Sequence, residues 1–500
     1  MNAEPLEKAL FATGTGVVEN DLSSSVPDVG VMSLQEEANI ADAEQVLSRS
    51  EDPSRPDLIA ETRRRSFANH KDEARPKKDV LHRHTDEGPN NSRWTHRKKH
   101  FFILSSAGKP IYSRYGDESK LSSFMGLIQA ILSFFASDDD SVRCLNAGSH
   151  KFVFTMKGPL YLVAVSSTGE SEAQLRQQLG YLYSQILFIL TSTQLTRIFE
   201  TRVNYDLRNL LAGTEMFLDQ LARSFQQSPG FFLGAFQCLR MSSRLRQKIS
   251  STLSMANPQG LAFGMLLAKE HLIGLIRPKR YSLHPNDLHL LSNMVQSSSG
   301  FRSGETWTPV CLPQFNNRAF LHAYVSFVGP DLCFVLVSTD KDSFFEMSQY
   351  KQEIVRRLEE GACVDGIDEA IRSVPYSIVE IGVPQLRHFI CKSTTLVQYT
   401  QPTPSPPYTK KDDWKRLLTV YQRASEALQA RSDPMQMFFH AGTAEAVVGC
   451  VVASYEIYAA FGPLVSKATA MEAINALQKW IKRHEDHIFI NSVPVIGGKT

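Results

Sequence analysis

Two imidazoles, His484 and His487, stand three residues apart with Glu485-Asp486 between them. On a helix that spacing puts both rings on one side, where they could share a metal. The sequence places no third ligand, and the His-Glu-x-x-His pattern of a zinc hydrolase is not met, so a solvated helix end is expected and no metal is assigned. Other chemistry-bearing patterns stop equally short. Gly14-Thr15-Gly16 lies in the N-terminal tail, and no Gly-x-x-x-x-Gly-Lys-Ser/Thr run cradles phosphate. No Gly-x-Ser-x-Gly elbow presents a nucleophile. The pair Asp412-Asp413 sits where a helix start favours negative charge. Cys144 and Cys333 fall inside expected strands and read as inert core. Neither a catalytic residue nor a cofactor is assigned, and the chain is not expected to be an enzyme. An enzyme whose site leaves no local signature would instead need a deep polar pocket with converging titratable groups, whereas a binding platform should be broad and shallow.

The elements that would position any such groups repeat. The order strand, strand, helix, three strands, helix can be read three times, starting near Phe101, Leu261 and Tyr376. In the first copy, apolar runs at 101–106 and 109–115 flank Ala107-Gly108, a hairpin signal. A helix is expected over 117–135, with Leu121, Phe124, Met125, Ile128, Ile131, Leu132 and Phe135 spaced at three and four. Strands at 142–146, 151–156 and 160–166 follow, then a helix over 170–191 with the stripe Leu175, Leu179, Leu182, Ile186 and Ile189. The second copy has a hairpin at 261–268 and 271–277, a helix from Pro285, strands at 307–312, 319–328 and 332–338, and a helix over 341–360. The third opens with strands at 377–381 and 387–399. A Pro-rich segment at 401–407 delays its helix at 412–430, and strands at 435–440, 446–452 and 454–460 precede a last helix at 464–484. Residues 204–255 are too apolar for a linker and are expected to form helices between modules. An α+β class follows, with helices packed on small antiparallel-type sheets.

Composition narrows the class further. The 500 residues are 42% hydrophobic and 21% charged, enough for three or four compact units. A net charge of +2 leaves no nucleic-acid footprint, so no nucleic-acid partner is expected. Seven cysteines with no Cys-x-x-Cys pair, and no secretory leader, favour a reducing cytoplasmic compartment. No run reaches the roughly 20 apolar residues of a membrane helix, so any membrane contact is expected to be peripheral. Residues 1–93 read as a disordered regulatory tail, acidic through Ser50 and basic from Arg63, too poor in apolar surface to offset conformational entropy.

The run HRKKHFFILSSAGKPIYSRYGDESKLSSFMGLIQAI at 96–131 resembles the start of the first longin domain in the Mon-one (SAND) family of vacuolar fusion proteins. SHKFVFTMKGPLYLVAVS at 149–166, QLGYLYSQILFILT at 178–191, FETRVNYDLRNLLAGTE at 199–215 and WTPVCLPQFN at 307–316 extend the resemblance, which covers about 93–490. It implies three longin-like (roadblock/longin type) domains, each a five-stranded antiparallel-type sheet with flanking helices, at 94–200, 258–361 and 373–490, with a helical connector at 201–257. It also implies a partner, the Ccz-type tri-longin subunit. The pair would be a guanine-nucleotide exchange factor for the late-endosomal Rab GTPase (Rab-seven type). It would be recruited by the early-endosomal Rab GTPase (Rab-five type) and by a phosphoinositide membrane surface, and would serve endosome maturation, lysosome or vacuole fusion and autophagosome clearance. A longin-scaffold adaptor or coat component without exchange activity is the alternative.

In longin pairs the first helix and the neighbouring edge strand of each partner meet. Mapped onto this chain, the platform is Lys120, Leu121, Ser123, Met125, Leu127 and Gln129 with the strand at 142–146; Met125 and Leu127 lie toward the flank of the apolar stripe. Trp307 is the candidate for the recruiting-Rab surface, since tryptophan is enriched at binding hot spots. Arg277, Lys279 and Arg280 form a basic cluster suited to a phosphoinositide headgroup.

Overall fold

Three sheets carry the chain, and the strands of each are wound in one common order. The computed structural model describes residues 87–496 other than 90, 119, 137–141, 203, 256–257, 280, 374–375 and 431–434. The tail expected over 1–93 falls almost wholly outside the described residues, and so does Arg280.

Lobe 1 consists of α1 (Ser92–Thr95), β1 (Lys99–Ser105), β2 (Pro110–Ser113), α2 (Ser122–Ala136), β3 (Cys144–Ala147), β4 (His150–Lys157), β5 (Leu160–Ser166) and α3 (Glu172–Ile189). Its sheet runs β2-β1-β5-β4-β3, antiparallel throughout. Every residue of β1 is buried because both faces of the sheet are covered. Phe102 and Leu104 point to the α2 side, whereas Phe101 and Ile103 point to the α3 side. The β1–β2 turn needs Gly108, whose φ of +77° an L side chain rarely adopts. A capping box between Ser171 and Gln174 starts α3, and its whole expected stripe is buried.

The connector is α4 (Ser192–Thr201), α5 (Arg208–Leu211), α6 (Glu215–Ser224), α7 (Gly230–Leu233), β6 (Phe236–Gln237) and α8 (Ser243–Ser254). Lobe 2 follows with β7 (Leu261–Ala268), β8 (His271–Pro278), α9 (Pro285–Ser297), β9 (Thr306–Leu312), β10 (Asn316–Val328), β11 (Leu332–Ser338), α10 (Phe344–Glu360) and α11 (Cys363–Arg372). Lobe 3 is β12 (Leu386–Ser393), β13 (Gln398–Thr400), α12 (Lys411–Leu428), β14 (Met437–Ala441), β15 (Ala446–Val452), β16 (Tyr455–Phe461) and α13 (Lys467–Ile488), with β17 (Val495–Ile496) after it. Within lobes 2 and 3 the order of lobe 1 recurs as β8-β7-β11-β10-β9 and β13-β12-β16-β15-β14.

Two short strands break this regularity. The connector's β6 pairs in parallel with β13 of lobe 3, and β17 pairs in parallel with β8 of lobe 2. Just past β6, the Leu239 N–H donates to the Leu272 carbonyl of β8 at 2.9 Å. The edge of β8 is therefore shared between the connector and the segment after α13.

The expected start of the third copy is corrected here. Residues 377–381 are not a strand but a 3-10 turn, because Ser377 and Glu380 form a capping box and Gly382 closes it at φ +68°. The expected single strand at 387–399 is itself the hairpin, β12 and β13, broken where Val397 takes φ +54°.

One apolar core joins lobes 1 and 2. It contains Leu179, Leu182 and Ile186 of α3, Phe217 and Leu221 of α6, Leu288 and Leu291 of α9, and Val310 and Val335 from the sheet of lobe 2. Burying each such side chain contributes roughly 1.5–3 kcal/mol.

Candidate partner-binding platform

Leu121, just before α2, and Phe124, Met125, Ile128 and Leu132 on it turn onto the sheet, where all are buried. The opposite side exposes Ser122, Ser123, Gly126, Ala130, Ser133 and Phe134. Residues 122, 126, 130 and 133 lie about a turn apart, so small side chains line one ridge. A Cβ at Gly126 would meet nothing within 4 Å, and the Phe134 ring is 69% exposed at the end of the ridge. A ridge this low lets another helix approach closely, with the ring as an anchor. Beyond the undescribed 137–141 segment, β3 ends the sheet as an edge strand with mostly half-exposed side chains.

The expected platform residues divide on this geometry. Lys120 and Ser123 are exposed, and Leu127 is half-buried at the rim. Leu121 and Met125 have no exposed surface, so the flank position expected for Met125 is corrected: its side chain belongs to the core. Gln129 is half-buried and serves as a strut. Its amide donates to the Ser106 carbonyl at 2.8 Å, and its side chain lies against Gly108, which ties α2 to the β1–β2 turn. Gly126, Ala130 and Phe134 were not singled out from the sequence, although the small residues recur every four positions within 122–130 and could have marked that face.

Trp307 is half-buried on β9. Its indole N–H donates to the Lys341 carbonyl at 3.0 Å, and the ring stacks on His322 at 5.6 Å and meets Phe344 edge-on at 6.1 Å. Phe345, next along α10, is 74% exposed and touches Phe344 at 5.4 Å. The two aromatic residues thus frame an apolar patch that Trp307 alone did not announce.

The expected basic cluster is described only in part. Arg277 is half-buried, with its guanidinium 3.4 Å from the carbonyls of Pro278 and Tyr281, while Lys279 is exposed and Arg280 lies outside the described residues. His484 stacks on Trp480 at 4.5 Å and meets the His487 ring at 6.3 Å. Among the described residues no group of three or more His, Cys, Asp or Glu could hold a metal, and no helix is long and apolar enough to cross a membrane.

Titratable groups are buried in separate places. In lobe 1, Lys99 pairs with Glu170 beside Gln178, and burial lowers the lysine pKa. Arg114 pairs with Asp219 at 2.9 Å, joining lobe 1 to the connector. Burial pulls His100 and His388 down to about 3 and His289 down to about 4. Asp287, raised to about 7 by burial, accepts the N–H groups of Gln314 and Phe315. These groups are spread over the three lobes and the connector.

Family comparisons match all three lobes in order. The model described as the first longin domain of FUZ, MON1 and HPS1 matches residues 99–221, the second longin domain 259–356, and the third 385–485. The human protein named vacuolar fusion protein MON1 homolog A is 42% identical over 407 residues, which are 81% of this chain and 62% of that one. Protein SAND of Takifugu rubripes is 42% identical over 412 residues, covering 82% and 79% respectively. Vacuolar fusion protein MON1 of Cryptococcus neoformans is 39% identical over 402 residues, covering 79% and 65%. The chain therefore spans less than two thirds of the length of the human and Cryptococcus relatives.

Proposed function

Because this chain belongs to the MON1 family of vacuolar fusion proteins and folds as three longin domains, we propose that it is one half of a guanine-nucleotide exchange factor in vesicle trafficking. The other half is a Ccz-type tri-longin subunit, and the target is the late-endosomal Rab GTPase of the Rab-seven type. The pair is recruited to endosomal, lysosomal and autophagosomal membranes by the Rab-five type GTPase and phosphoinositide, and there it drives endosome maturation and autophagosome clearance.

The observation that carries this reading is the outer side of α2 beside the edge strand β3. It is a low ridge with one exposed ring, on an element whose inner side is fully engaged. A partner helix laid on Gly126 and Ala130, with Phe134 as anchor, would make a surface shared by two chains. Lys120 and Ser123 at one end of it are exposed toward a GTPase. Exchange on such a surface needs no acid, base or nucleophile. A GTPase holds its nucleotide through phosphate and Mg²⁺ contacts of its switch segments, and a surface that binds the opened form better than the closed one lowers the barrier to release. Linkage then requires incoming GTP to weaken the complex and free the product. The patch of Trp307 and Phe345 suits the recruiting GTPase, and Lys279 remains as a peripheral headgroup contact.

The test is co-expression with the Ccz-type subunit, followed by release of fluorescent GDP from the Rab-seven type GTPase. Gly126→Leu should raise the ridge, block pairing and cut exchange at least tenfold while the chain's melting temperature stays within a few degrees. A stable pair that leaves bound GDP undisturbed would return the chain to the adaptor reading.

A further inference from the structure

The chain holds four Ser-Pro or Thr-Pro dipeptides, beginning at Ser228, Thr308, Thr403 and Ser405, and the fold withdraws two of them. Thr308 is 1% exposed within β9, opposite Ala323 of β10. The Ser228 hydroxyl accepts the Gly230 N–H at 3.3 Å and lies 3.4 Å from the Tyr399 hydroxyl, and Pro229 beside it is buried. The other two stand in the Pro-rich run at 401–407, a strap between β13 and α12. Both ends of the strap are tied down. At its start Pro402 is buried and the Thr403 N–H donates to the Tyr376 carbonyl at 3.1 Å. At its end Tyr408, 1% exposed, donates its N–H to the Ser405 carbonyl at 2.8 Å. Between these ties Pro404, Pro406 and Pro407 are exposed and Ser405 is half-buried.

We propose that Ser405 is a phosphorylation site for a proline-directed serine/threonine kinase. A residue before proline is held in extended backbone, and the proline after it offers no N–H that must be satisfied elsewhere. The strap therefore presents Ser405 as an extended acceptor with exposed proline rings on both sides. A kinase would have to unravel a helix or a sheet to read most of this chain, but residues 401–405 belong to neither. Thr403 is the poorer acceptor, since its own N–H is engaged and a buried proline precedes it. In the transfer, Ser405 Oγ bonds to the γ-phosphorus of Mg²⁺-bound ATP and the bond from that phosphorus to the β–γ bridging oxygen breaks. The hydroxyl proton passes to the kinase's base and ADP leaves. Residues 401–408 carry no formal charge, and the product places about −1.5 to −2 on them, close in sequence to Lys410 and Lys411, which are exposed at the start of α12. The modification is thus a charge switch on the surface of lobe 3, and exchange activity is not required for it.

Incubation of the native full chain with a proline-directed kinase of the cyclin-dependent class and Mg²⁺-ATP, followed by site mapping in a mass spectrometer, tests it. One phosphoryl group should appear, on Ser405. Ser405→Ala should abolish the modification, and Thr403→Ala should leave it in place. Pro406→Ala should slow it by about tenfold or more, because the residue after Ser405 regains an N–H and loses its fixed φ. Thermal melts of the three variants should stay within a few degrees of the wild type, which separates loss of the acceptor from loss of the fold. Three results overturn the proposal: Ser405 unmodified in the native chain, Ser228 or Thr308 modified as fast as Ser405, or Pro406→Ala modified as fast as the wild type.

Discussion

Beneath the start of α9, the Asp287 carboxylate takes backbone N–H groups from Gln314 at 3.2 Å and Phe315 at 3.1 Å, yet burial raises its pKa to about 7. A carboxyl raised above its unfolded value binds more protons folded than unfolded. Its contribution to stability is therefore complete below about pH 4 and lost as pH rises through about 7. His100 and His388 act in the opposite sense. Held neutral by burial at about 3, they favour the fold above their unfolded value near 6.5, and that contribution is lost as pH falls toward 3. Relative to Asp287→Asn, the wild type should lose stability as pH rises from about 4 to 7, measured as urea midpoints, with the offset between the two constant below about pH 4. The histidines act equally in both proteins, so wild-type and variant profiles that run parallel across that interval would show the carboxyl to be ionised in the folded protein.

At the scale of the element, α2 has two sides with opposite expected sensitivities. Met125→Ala should cost about 2–5 kcal/mol, because its side chain is fully enclosed and leaves a cavity. Ser123→Ala on the exposed side should change stability by less than about 0.5 kcal/mol. Thermal melts of the two variants check this, and equal shifts would contradict the burial of Met125. Much of this helix was legible in advance, since spacing at three and four identifies the buried arc. Its margins were not: whether Met125 or Leu127 is covered depends on how the helix sits over Phe102 and Phe152, which no local pattern encodes. The same limit explains lobe 3, where the apolar run at 377–381 looked like a strand and the Ser377–Glu380 box made it a turn. Strands β6 and β17, two residues each, were invisible because their parallel partners lie far away in sequence.

At the scale of the whole molecule, the shared core makes lobe 1 an incomplete folding unit. A fragment of residues 94–200 would uncover the side of α3 that packs on α6 and the sheet of lobe 2, and should aggregate or expose dye-binding apolar surface, whereas a fragment of residues 94–361 should be more soluble. Size-exclusion chromatography of the two distinguishes these outcomes; a monomeric 94–200 fragment with a sharp melt would contradict the shared core. Strand β17 reaches back to β8, where the Arg277 N–H donates to the Pro494 carbonyl at 3.2 Å. Synthesis runs the other way along the chain. The middle sheet is translated long before the segment that seals its border, so a ribosome paused after lobe 2 holds a nascent chain with an open seam. Chaperone engagement should persist at that stage and end only when lobe 3 and the residues beyond it have emerged.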